Sequence, residues 1–179
     1  MTAMLAIESA EEEGPRDIWT LPETHLAPGE VVITREPRCV TTLLGSCVAV
    51  VLYASRPRMA AMCHALLPRA SCHRVEGGSR LRFADEAIHQ MTTVFADHGV
   101  APRMIEAKVF GGARVLSASG DGFATFDVGA KNVLAAESCL ARAGIRISAC
   151  CVGGERGRKI HLNTTNGEVL VRLLGRKHP

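Results

Sequence analysis

The stretch TTLLGSCVAVVLY, residues 41–53, sets a cysteine straight after Gly45-Ser46 at the mouth of an apolar run, with a threonine pair just upstream. A free thiol is mostly protonated at neutral pH, and the thiolate is the useful nucleophile. A nearby imidazole can take that proton and leave an ion pair. Gly45 and Ser46 permit a sharp turn whose N–H groups, with that of Cys47, point one way. Such donors hold the negative oxygen of a tetrahedral intermediate. The plainer reading is a small buried hydrophobe at the start of a strand, the usual fate of free cysteine. The pattern alone leaves both open.

A nucleophilic cysteine needs a base. His64 sits near the end of MAAMCHALLP, a run that should pair beside the Cys47 strand. A polar ring on an apolar strand must find a partner or suffer desolvation. That partner is either a backbone carbonyl, with a purely structural histidine, or the thiol of Cys47, with His64 as general base. His161 competes from KIHLN, a more polar segment. Thr41 and Thr42 face opposite ways on a strand, so only one can look toward the site. A hydroxyl there accepts the second ring N–H of the imidazole and fixes its tautomer. Cys63-His64 and Cys72-His73 form a CH…CH pair, but adjacent strand residues point to opposite faces and the spacing is not that of common zinc modules. No metal is expected. FGGARVL and VGGERGRK lack the Lys-Ser/Thr of a phosphate loop.

The elements that must position these groups follow from the apolar pattern. The chain has 179 residues, 47% of them hydrophobic and 22% charged, enough for one domain with a real core. A net charge of +3 argues for neither nucleic acid nor a membrane surface. The basic ERGRK (155–159) and GRKHP (175–179) read as solvated ends. Seven cysteines without a CxxC imply reduced thiols rather than a disulfide framework. The N-terminus has neither a basic start nor a long apolar core, so no secretory signal is read, and no run is long enough to insert in a membrane. A cytoplasmic protein is expected, with residues 1–24 a flexible acidic tail and 25–179 a single domain.

Strands are expected at 31–34, in CVTTLL, CVAVVLYA, MAAMCHALLP, RMIEAKVF and RISACCV, and in a final hairpin turned at Asn166-Gly167. Residues 69–80 read as a polar loop. RFADEAIHQMTTVFADHG predicts a helix with Ala84, Ile88, Met91 and Phe95 on one face. VGAKNVLAAESCLARAG predicts another, capped by Asp127, with Val133, Ala136 and Leu140 inward. The sum is an α+β domain of about seven or eight strands and two helices, as one mixed sheet or two packed sheets.

Taken together, these segments resemble the CheD family of chemoreceptor glutamine deamidases. The likeness rests on TTLLGSCVAVVLY, on HALLP seventeen residues after the cysteine, and on IEAKVFGGARVL, DVGAKNVLAAESCL, CVGGERGRKI and TTNGEVLVRLL, in family order from about residue 25 to 175. The resemblance implies an α/β sandwich of mixed sheets with two helices. It implies Cys47 as nucleophile, His64 as acid and base, and, six residues before the cysteine, Thr41 rather than Thr42 as the group that orients His64. It implies no cofactor. The reaction it implies converts receptor glutamines to glutamate through a cysteine thioester, releasing ammonia. The partners implied are the cytoplasmic helical region of methyl-accepting chemotaxis receptors and a CheC-like phosphatase. Two other readings compete: a non-catalytic adaptor that binds receptors or such a phosphatase, and acyl transfer to an amine. The acidic N-terminus and the Arg-rich 69–82 loop depart from the family pattern.

Overall fold

A computed structural model describes residues 17–72, 79–114 and 128–175. The strands are β1 (Glu23–His25), β2 (Val31–Thr34), β3 (Cys39–Leu44), β4 (Val48–Ala54), β5 (Met59–Ala65), β6 (Glu106–Gly111), β7 (Arg146–Val152), β8 (Arg158–Asn163) and β9 (Val169–Leu173). The helices α1 (Ala84–Asp97) and α2 (Val128–Arg142) fall between β5 and β6 and between β6 and β7. The strands form two sheets, β1-β3-β8-β9 and β2-β5-β4-β6-β7. Both are mixed: β1 runs parallel to β3, and β6 parallel to β7. A parallel neighbour cannot be reached by a hairpin, which is why α2 lies in the β6–β7 connection.

The molecule is layered as helices, five-stranded sheet, four-stranded sheet. Alternation along β4 and β5 divides their side chains between the two interfaces. Val48, Val50, Leu52, Ala61 and Cys63 pack toward Ile88, Met91 and Phe95 of α1 and Val133, Ala136 and Leu140 of α2. Ala49, Val51, Ala60 and Met62 pack instead against Val40, Leu44, Ile160 and Leu162 of the four-stranded sheet. Strands covered on both faces read as unbroken apolar runs. CVAVVLYA and MAAMCHA are such runs because they form the middle layer.

The expected α+β architecture holds, in its two-sheet form, with nine strands among the described residues. The additional one is β1. Glu-Thr-His carries no apolar alternation, and its three residues are held by pairing with Cys39–Thr41 and by side-chain hydrogen bonds from Thr41 to Glu23 and from Arg38 to Thr24. Ile18 and Leu21, inside the stretch expected as a tail, are buried with Cys39 on the outer face of β3. Arg158 corrects an expectation: it is 2% exposed, and its guanidinium donates to the carbonyls of Cys151 and Gly153. Residues 164–168 join β8 to β9, with Asn166-Gly167 inside that loop. Asp127, and 73–78 of the expected loop, lie outside the described residues.

Helix α2 approaches the end of β6 backbone to backbone. A Cβ at Gly129 would stand 2.5 Å from the Gly112 carbonyl oxygen, and one at Gly111, where φ is +110°, would stand 2.1 Å from that of Cys47. Both are far inside normal contact. Gly129→Ala must push α2 off the sheet, and overpacking of this kind costs about 1–3 kcal/mol. Thermal denaturation is expected to show a drop of several degrees, and an unchanged midpoint would contradict the close approach.

Candidate active site

Between Leu44 and Val48 the chain leaves one sheet and enters the other, so Gly45, Ser46 and Cys47 span the two layers. Their carbonyls are all engaged. Ala113 N–H donates to Gly45 O at 2.8 Å and Gly112 N–H to Cys47 O at 2.7 Å. The Asn132 side-chain Nδ2 donates to Ser46 O at 3.0 Å. The Gly111-Gly112 turn that makes this possible is braced by Gly153 N–H on Gly111 O at 2.9 Å. By contrast, the N–H groups of Gly45 and Ser46 donate to no protein acceptor among the described residues, and that of Cys47 engages only its own thiol. The segment is thus fixed through its oxygens and leaves its donors available, the arrangement an oxyanion requires.

His64 is 2% exposed. Its Nδ1 lies 2.8 Å from Thr42 Oγ1, and Thr42 Oγ1 lies 2.7 Å from the Leu26 carbonyl. A carbonyl only accepts, so the threonine hydrogen goes to Leu26. The same hydroxyl must then accept from His64, which puts the ring proton on Nδ1. Nε2 is left with its lone pair, buried and without a partner among the described residues. Leu26 is itself tied down, its N–H donating to Thr41 O at 2.8 Å directly beyond β1.

The register of β4 and β5 pairs Ala49 with His64. Cys47, two residues before Ala49, packs with Ala49 and Met62 against the inter-sheet cluster, the interface into which His64 also points. Cys47 lies one residue beyond the last rung of that ladder, Val48 with Ala65, and His64 one residue inside it. Burial pushes the Cys47 thiol up, with its own N–H pulling weakly the other way. Burial holds His64 below its ordinary value, with His25 adding to the effect and the Leu26 carbonyl opposing it. Both shifts favour the thiol and the neutral imidazole over the preformed ion pair that the sequence suggested.

The other candidates separate cleanly. Thr41 was expected to orient His64, but it faces the opposite side of β3 and donates to Glu23 Oε1 at 3.0 Å. Thr42 occupies the expected position because even-numbered residues of β3, with Val40 and Leu44, face the five-stranded sheet. His161, the rival base, stands across from Thr41 on β8, with Nδ1 3.9 Å from Cys39 Sγ and its ring edge-on to Trp19. Cys63 points toward the helices, where complete burial pushes its thiol up to about 12, while His64 points the other way. Among the described residues no group of three or more His, Cys, Asp or Glu can hold a metal. A cavity of about 350 Å³, lined by Gly112, Arg114, Val133 and Leu134 among others, touches the Gly-Gly turn but is lined by neither Cys47 nor His64. Sequence reasoning missed Leu26 and Asn132. A carbonyl leaves no trace in a side-chain pattern, whereas Asn132 was visible as a polar residue inside the apolar stripe of α2.

The buried imidazole makes stability depend on pH in a defined direction. The unfolded chain protonates this histidine near 6.5 and the folded chain only at lower pH. Its contribution is complete above that value and is lost as pH falls through it, because the unfolded state then binds more protons. From about pH 7 to about pH 5, the urea midpoint of the wild type should fall more steeply than that of His64→Gln. Parallel slopes would contradict the buried neutral ring.

The family model described as CheD chemotactic sensory transduction matches residues 66–173. A probable chemoreceptor glutamine deamidase CheD of Geobacter sulfurreducens is 40% identical over 156 residues, 87% of this chain and 92% of that protein. Probable chemoreceptor glutamine deamidases CheD of Oleidesulfovibrio alaskensis and Rhodospirillum rubrum are each 38% identical, covering 86% and 87% of this chain and 74% and 84% of theirs. With that identity spread over nearly all of the described domain, the chain belongs to the CheD family.

Proposed function

We propose that this protein deamidates glutamine side chains of chemoreceptors, with Cys47 as nucleophile, His64 as acid and base, and Thr42 as the group that fixes the His64 tautomer. The observation that carries the reading is the relay from His64 Nδ1 through Thr42 to the Leu26 carbonyl. It leaves a bare Nε2 on the face shared with a half-exposed thiol. The names of the relatives supply the substrate class. The reading includes a target in the cytoplasmic helical region of the receptor, action in the cytoplasm and recognition by a CheC-like phosphatase. None of the described helices is long and apolar enough to cross a membrane.

The chemistry follows from the resting protonation. As Cys47 Sγ bonds to the amide carbon, its proton passes to His64 Nε2, and the carbonyl oxygen takes the negative charge against the N–H groups of the 45–47 segment. The imidazolium then protonates the amide nitrogen, the C–N bond breaks, and ammonia leaves a thioester. Neutral His64 next takes a proton from water, hydroxide adds to the thioester carbon, and collapse expels the sulfur, which recovers its proton. The product is glutamate with free Cys47. An amine in place of water would give a crosslink instead, so the outcome depends on what reaches the thioester.

Incubation with a chemoreceptor cytoplasmic fragment should release ammonia and convert particular glutamines to glutamate by peptide mass. Cys47→Ala and His64→Gln should abolish both while remaining folded. The two threonines separate the roles. Thr42→Val should lower turnover by about ten- to a hundredfold through loss of tautomer control, and Thr41→Val should stay within a factor of about two. Near-normal turnover in Cys47→Ala ends the proposal, and the reverse order of the threonine variants ends the assignment of Thr42.

A further inference from the structure

Asn132 is fully buried on the inner face of α2, among Val133, Ala136, Cys139 and Leu140. Its Nδ2 donates twice, to Ser46 O at 3.0 Å and to Leu66 O at 2.9 Å. Ser46 immediately precedes Cys47, and Leu66 lies two residues beyond His64. The pairing of β4 with β5 ends at Val48 and Ala65. Beyond that rung the strands part company: the Cys47 carbonyl turns to Gly112, and the Leu66 N–H turns to Arg82 O at 2.8 Å. Asn132 spans the gap that opens there. Two carbonyls facing one carboxamide leave no choice of orientation, because only the nitrogen end can donate to both.

We propose, resting on the function assigned above, that Asn132 is a positioning residue that ties the Cys47 turn to the His64 strand where the sheet no longer does so. Its cost argues for a role beyond packing. The carboxamide Oδ1 is buried with no partner among the described residues. An unpaired buried acceptor is destabilising, and a leucine of similar size fills an apolar helix face without that penalty. What an apolar residue cannot do is hold two carbonyls from two segments at one nitrogen. Small displacements between reacting groups are expensive in rate: a shift of about 1 Å can cost about a hundredfold.

The test pairs Asn132→Ala and Asn132→Asp with the wild type, read by turnover of a receptor fragment and by the pH dependence of Cys47 alkylation with iodoacetamide. In Asn132→Ala, kcat should fall by about ten- to a hundredfold with KM within a factor of about three. The alkylation midpoint of Cys47 should also move down toward that of a free thiol as the turn opens to water. A purely structural asparagine would lower thermal stability and leave that midpoint in place. In Asn132→Asp, an ionised carboxylate repels both carbonyls, whereas the protonated acid donates to one. Its activity relative to wild type should therefore rise from about pH 8 to about pH 6. If Asn132→Ala does not fold, the aspartate series carries the test, and a flat ratio overturns the proposal. Folded variants with kcat within about twofold of wild type and an unmoved midpoint overturn it too. The alkylation arm needs no receptor. A wild type that releases no ammonia, with the midpoint shift present, sinks the assigned function and keeps Asn132 as a positioning residue.

Discussion

A chain that changes sheets within three residues must satisfy the polar groups of those residues from outside either ladder. Here the burden falls on the oxygens, each taken by a different donor: Ala113, Asn132 and Gly112. A single hydrogen bond of this kind contributes only about 0.5–1.5 kcal/mol net. Three of them from three attachments nevertheless define the path of a short segment more tightly than one large contact would. They also determine what remains. With its carbonyls held inward, the segment keeps its N–H groups for something else, and Cys47 emerges half-buried at the lip of the inter-sheet core. The close approach of Gly129 to Gly112 allows α2 to come near enough for Asn132 to take part.

The histidine is governed by a different economy of donors and acceptors. A ring with two nitrogens, one hydroxyl and one carbonyl admits a single consistent distribution of protons once the carbonyl is at the end of the line. Burial then favours the neutral His64 ring and the protonated Cys47 thiol. The contrast with Cys63 is instructive. One residue away from His64 on the same strand, it is sealed beneath the helices, and its thiol is far too basic to ionise. Two thiols of one protein differ in chemistry because alternation sends one to the dry helix interface and leaves the other at the end of a layer.

Much of this was legible in the residues. The doubly covered strands announced themselves by continuous apolar runs and both helices by their stripes, and the same pattern put a cysteine on a turn and an imidazole on the adjoining strand. The short β1 escaped notice because three polar residues carry no pattern of their own, and Leu26, which ends the His64 relay, lies just beyond it. Arg158 looked like part of a solvated basic end, yet it is buried because the carbonyls of Cys151 and Gly153 turn inward to meet it.

Residue type and order alone settled the strands on which His64 and the two threonines lie. They also required that Thr41 and Thr42 face opposite ways, since alternation is a property of any extended chain. Which threonine turns toward His64 was a question of phase. It was answered only when β3 and β5 were assigned to different sheets packed face to face, which brings Thr42 to the imidazole and sends Thr41 to Glu23. The same packing brought in a carbonyl from Leu26 and an amide from a helix 85 residues after Cys47. Such partners are set by distance in space, and local sequence contains no measure of it.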